Sequence, residues 1–78
     1  MTEMLQRATS AASRVLGLVG DVRHVETLPT GEQVFEASYE ETCQATITLN
    51  PNGIRAAVEW PSGYKICDVE PLDQEVSP

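Results

Sequence analysis

Seventy-eight residues make one domain at most, since a single core typically organises about 100 to 150 residues. Twelve Asp and Glu against five Lys and Arg leave a net charge of -7 and a pI near 4.4, which argues against a direct grip on a nucleic-acid backbone. Two cysteines are too few for a disulfide scaffold, and the longest apolar or glycine run, residues 15–20, falls well short of the roughly 20 residues of a membrane span. A soluble, cytoplasmic protein is expected. Its net stability should be roughly 4 to 12 kcal/mol, with little to spare for strain.

Met4, Leu5, Ala8, Ala11, Ala12, Val15, Leu16 and Val19 recur at three- and four-residue steps, with Glu3, Gln6, Arg7, Ser10, Ser13 and Arg14 on the other side. This spacing predicts an amphipathic helix over residues 3–17. Thr2 suits its N-cap, and Gly17 or Gly20 its termination. Polar residues interrupt this stretch too often for a secretory signal.

From Asp21 onward the period becomes two. Turn signals arrive at Pro29-Thr30-Gly31, Asn50-Pro51-Asn52-Gly53 and Pro61-Ser62-Gly63, which predict an antiparallel meander of four to five strands. The expected fold is α+β: one N-terminal helix packed on that sheet, in a single domain over residues 1–69. A strand near residues 22–28 has two possible registers. Either Val22, His24, Glu26 and Leu28 point inward or Arg23, Val25 and Thr27 do, and neither set is cleanly apolar, so an edge strand or a bulge is expected.

Phe35, Ala37, Tyr39, Cys43, Ala45, Ile47 and Leu49 share odd parity, so residues 34–49 form one bent strand or two strands joined by a three-residue loop at Glu40-Glu41-Thr42. The second arrangement, with Tyr39 opposite Cys43, is preferred. A four-residue loop would then pair Leu49 with Ile54, and a three-residue loop Trp60 with Tyr64. The same register sends Ile54, Ala56, Val58, Trp60, Tyr64 and Ile66 to the buried face. Outward it sends Val34, Ala57, Cys67 and Val69, and it sets Glu59 opposite Lys65. Cys43 and Cys67 fall on opposite faces and are expected to be free thiols. Trp60 is expected to stack on Tyr64.

The acidity belongs to the sheet and tail. Residues 1–25 carry a net +1 and residues 26–78 a net -8. Glu40 and Glu41 crown one end of the sheet, while Glu32, Glu70, Asp73 and Glu75 gather at the other. Residues 70–78, with two prolines, three acids and only Leu72 and Val76 as anchors, are expected to form a mobile acidic tail. His24 is the sole histidine, no short thiol motif, HExxH pattern or glycine-rich phosphate loop is present, and no catalytic residue, metal or cofactor is expected. A ligand pocket of about 300 Å³ or more would compete with the core for space.

Gln33-Val34-Phe35-Glu36-Ala37, followed later by Trp60-Pro61, resembles the QxVxG segment and Pro-Trp hairpin of cystatins. Ala37 stands where that motif has glycine, and the Trp and Pro are in reverse order, so protease inhibition is not carried over. In size, acidity and helix-plus-meander layout, residues 3–69 resemble phage-encoded inhibitors of bacterial defence systems, especially anti-CRISPR proteins. The resemblance implies a non-enzymatic inhibitor in the cytoplasm of a bacterial host. It would dock on a basic surface of a CRISPR effector or similar nucleic-acid-processing complex and block DNA binding or recruitment. Glu32, Glu40, Glu41, Glu70 and Asp73 are its candidate contacts. The alternative is a self-associating assembly module using the Val34, Ala57, Cys67 and Val69 strip or an open sheet edge.

Overall fold

The computed structural model describes residues 2–71. One helix, α1 (Thr2–Leu16), precedes five strands: β1 (Val22–Thr27), β2 (Gln33–Glu40), β3 (Cys43–Leu49), β4 (Ala56–Glu59) and β5 (Lys65–Val69). The strands form one antiparallel sheet in the order β1-β2-β3-β4-β5. This is the α+β meander that the change of period predicts. Helix and sheet make a two-layer slab of 35 × 33 × 20 Å.

Alanines at positions 8, 11 and 12 are fully buried. Their small side chains let the helix backbone lie close to the sheet, while Phe35, Ile47, Leu49 and Val58 fill the layer between. Met4, Leu5, Val15, Leu16 and Val19 pack around the margin. Gly17, at φ +87°, ends the helix, and its N–H donates to the Ser13 carbonyl at 3.0 Å, a left-handed cap suited to glycine.

The β1–β2 and β4–β5 turns repeat one device. In Leu28-Pro29-Thr30-Gly31-Glu32 the glycine N–H donates to the Leu28 carbonyl at 2.9 Å, and Leu28 N–H donates to the Glu32 carbonyl at 2.8 Å. Trp60-Pro61-Ser62-Gly63-Tyr64 has the same pair of bonds at the same lengths. Proline presets the first turn position and a positive-φ glycine closes the turn, so the Trp60–Tyr64 loop forms as expected.

Elsewhere the register departs from simple alternation. β1 carries a bulge between His24 and Glu26. Val22 and His24 lie opposite the buried Ala37 and Phe35, whereas past the bulge Glu26 lies opposite Val34 and Thr27 opposite Gln33. Each of the two candidate registers therefore holds for half of the strand. The β2–β3 pairing follows the expected rows from Gln33↔Leu49 to Ser38↔Gln44, but the register then shifts and Glu40, not Tyr39, faces Cys43. The bulge at Tyr39 leaves only Glu41 and Thr42 in the turn.

Leu49 pairs with Ala56 rather than Ile54. The Asn50 carboxamide oxygen accepts from the Ile54 and Arg55 N–H groups at 3.0 and 3.3 Å, which keeps those residues in the loop. Ile54, expected inside, is 51% exposed. A shift of two residues preserves parity, so Ala56 and Val58 remain inward. In β5, Glu59 faces Lys65 as expected, but the register slips between Ala56 and Val58 so that Ala56 pairs with Val69. Asp68 at φ +62° makes the slip and turns Val69 inward to 9% exposure, correcting its expected outward position. Tyr64, also expected inside, is 63% exposed. It contacts Trp60 with ring centroids 5.2 Å apart at 49°, the expected pairing.

Candidate functional site

The two acidic ends differ in what surrounds them. At the end bearing the β1–β2 and β3–β4 loops, the Glu70 carboxylate lies 3.5 Å from the Arg55 guanidinium, and Arg14 donates to the Glu70 carbonyl at 2.8 Å. Glu32 accepts from the Thr30 hydroxyl at 3.1 Å. Asp73 and Glu75 lie outside the described residues. Glu70 and Glu32 are thus already engaged, by a cation and by a local hydrogen bond respectively, while Glu26 and Asp68 near this end are exposed and belong to no ion pair found among the described residues.

The other end, formed by the β2–β3 turn, is different. Glu40 and Glu41 are both exposed, and neither belongs to the ion pairs found among the described residues, which join Glu3 to Arg7, Glu36 to Arg23 and Glu70 to Arg55. The antiparallel register brings the start of β1 to this same end, since Val22 pairs with Ala37. Ser38 N–H donates to the Asp21 carbonyl at 2.9 Å, and Gly20 N–H to the Ser38 carbonyl at 2.6 Å. These bonds bring exposed Asp21 beside the Glu40-Glu41 turn. Of the five candidate contacts, the structure therefore separates Glu40 and Glu41 from Glu32 and Glu70.

Between the linker and this turn runs a groove of about 420 Å³ lined by Leu18, Val19, Gly20, Ser38, Tyr39 and Glu40. Leu18 is 93% exposed. Sequence reasoning assigned no role to Leu18, because it continues the apolar run of the helix. Its one signal is its position between Gly17 and Gly20, where the helix has ended.

Tyr39 is half-buried in this groove. Partial burial raises its phenol above the ordinary 10.0, reinforced by the charge and hydrogen bond of Cys43 and by the charge of Glu40. The fold thus favours the neutral phenol. Stability from this group is fully present below pH 10.0 and falls as pH rises past that value. Alkaline spectrophotometric titration should show a late-ionising phenol that Tyr39→Phe abolishes. Loss of an ordinary component instead would contradict this placement.

The outer sheet face carries two further open hollows. One, of about 450 Å³, lies against Glu36, Glu41, Gln44, Thr46 and Pro61; the other, of about 320 Å³, lies against Arg55, Lys65, Cys67 and Asp68. Their volumes exceed the expected limit, because they are surface concavities and take nothing from the core. Arg23 spans to Glu36 at 2.7 Å across this face. Cys43 and Cys67 are free thiols, half-buried and exposed respectively. His24 sits exposed on edge strand β1, bonded to the Thr27 hydroxyl at 3.1 Å, with its ring edge-on to Phe35 at 5.2 Å. Among the described residues, no three His, Cys, Asp or Glu side chains are placed to hold a metal ion, and no helix is long and apolar enough to cross a membrane.

No family model, curated protein or solved structure matches this chain.

Proposed function

We propose that this chain is a small acidic protein-binding inhibitor, whose β2–β3 end docks on a basic surface of a nucleic-acid-processing complex and blocks DNA binding or recruitment. A CRISPR effector is the partner class suggested by the resemblance in size, acidity and layout. The observation that supports this reading best is the exposed Glu40-Glu41 pair, which belongs to none of the ion pairs found among the described residues. Carboxylates left unpaired on a folded surface steer a cationic partner into place and oppose an anionic one. Glu70, already beside Arg55, has less attraction to offer.

The test is capture from bacterial lysate containing nucleic-acid-processing complexes, followed by DNA competition on the retained complex. DNA should displace the protein from its partner. The Glu40→Lys/Glu41→Lys double variant should keep its fold, bind at least about tenfold more weakly, equivalent to about 1.4 kcal/mol, and show a shallower loss of binding with salt. Glu70→Lys should do much less. Unchanged binding by the double variant would remove the electrostatic reading.

Self-association, the competing expectation, loses support from two features. Val69, one of the four residues of its apolar strip, belongs to the core. Both edge strands are bulged and carry charge, β1 through Arg23 and Glu26 and β5 through Lys65 and Asp68, devices that discourage edge pairing.

A further inference from the structure

Charge complementarity accelerates and orients encounter, but affinity needs a desolvated apolar centre. Among the described residues, Leu18 is the most exposed of the large apolar side chains, at 93%, ahead of Tyr64, Ile54 and Val25. It is also held in place. The left-handed Gly17 turns the chain out of the helix, and two residues beyond Leu18 the Gly20 N–H is fastened to the Ser38 carbonyl at 2.6 Å. A short linker anchored at both ends presents the leucine with less freedom to lose on binding than a loose loop would.

The groove beside it combines two kinds of surface. Val19 and Tyr39 are half-buried apolar walls, and Glu40 closes one side with an exposed carboxylate. Asp21 and Glu41 flank the lining residues in sequence, and both are exposed. None of these three acids belongs to the ion pairs found among the described residues.

We infer that the Leu18–Tyr39 groove is the anchor site of the docking surface, and that it takes a protein segment in which an aliphatic or aromatic side chain is flanked by Lys or Arg. The inference rests on the acidic-docking reading and adds the chemistry of the segment recognised. The apolar side chain enters between Leu18, Val19 and Tyr39, and its basic neighbours meet Glu40, with Asp21 and Glu41 within the same anionic field. A purely basic segment would gain the field without the burial. A purely apolar one would gain neither steering nor register.

A display library of random 12-residue peptides, selected on the immobilised full chain, tests both halves. Enriched sequences should combine Lys or Arg with an aliphatic or aromatic residue. One such peptide, titrated into labelled protein, should shift the amide resonances of Leu18, Val19, Tyr39 and Glu40 first. Leu18→Ser, an exposed change that leaves the core intact, should weaken that peptide about tenfold or more and erase the apolar preference of a repeated selection. Glu40→Lys should erase the basic preference instead.

Enrichment of basic peptides insensitive to Leu18→Ser would overturn the anchor and leave the acidic-docking reading standing. Enrichment of apolar peptides with no basic preference would overturn both. No enrichment above a blank support, or resonance shifts confined to the Glu32 and Glu70 end, would overturn the groove as the anchor site.

Discussion

Phe35→Ala is expected to lower the melting temperature by at least about 12 °C. Phe35 is fully buried and is among the four largest fully buried side chains, with Ile47, Leu49 and Val58. The residues across the inner face from the helix include many alanines, at 37, 45 and 56, so few neighbours are large enough to close a cavity. Truncating a buried phenylalanine costs about 3 to 5 kcal/mol. A chain of this length has roughly 4 to 12 kcal/mol in all, so the loss consumes about a quarter of the stability or more. Each kcal/mol moves the melting temperature of so small a domain by about 4 to 8 °C, a fall of at least about 12 °C. Thermal and urea unfolding followed by circular dichroism measure it. A loss below about 1 kcal/mol would show that Phe35 is not a principal core residue. Leu18→Ser serves as the control, with a change near zero, because Leu18 is already in water.

The same core explains how much of the fold is legible in the sequence. Period 3.6 in residues 4–19 and period 2 in residues 34–49 follow from which side chains must leave water. Ala8, Ala11, Ala12, Phe35, Ala37, Ala45, Ile47 and Leu49 are buried as those periods require. The X-Pro-x-Gly turns were equally legible, since proline and glycine each fix a particular backbone angle. What parity could not reveal was where a strand would gain or lose a residue. The bulges near Val25, Tyr39 and Asp68 each move one residue out of step. Asp68 does so through a positive φ that the sequence does not announce. Val69 moved to the core for that reason. Ile54 left it for another, the capture of two backbone N–H groups by Asn50, which lengthened the loop.

Of the candidate site, charge was legible and neutralisation was not. A count of acids along the chain treats Glu40 and Glu70 alike. Only the tertiary arrangement sets Arg55 against the Glu70 carboxylate and Arg14 against its carbonyl, from 15 and 56 residues away in the chain. The apolar partner of the acidic end was hidden for a related reason. Leu18 continues the hydrophobic run of the helix in sequence, yet the Gly17 cap places it outside the packed layer. An apolar residue two positions past the end of the helix, covered by no packed layer, stays exposed and available for binding.

Gly53→Ala and Gly63→Ala should separate backbone strain from packing. Both glycines have positive φ, +73° and +101°, and an alanine in a left-handed conformation costs about 1 to 2 kcal/mol. Nothing lies within 4 Å of a Cβ added at Gly63, so that variant should show the strain alone. At Gly53 the added Cβ would lie 2.9 Å from the Met4 sulfur and 3.1 Å from Arg7 Cδ. Arg7 also donates to the Gly53 carbonyl at 3.4 Å, so the Met4 and Arg7 side chains must both shift to admit the added Cβ. Overpacking of this kind typically adds about 1 to 3 kcal/mol, and the flexibility of the Met4 side chain favours the lower figure. The expected total for Gly53→Ala is therefore about 2 to 3 kcal/mol, read from urea denaturation midpoints. Met4→Ala should remove most of the excess, so that in its background the cost of Gly53→Ala falls toward that of Gly63→Ala. Equal costs in the unmodified chain would mean that the β3–β4 loop does not brace the helix. Because this loop lies at the end of the sheet opposite the Leu18 groove, Gly53→Ala should lower stability while its folded fraction binds a selected basic-apolar peptide as the parent does.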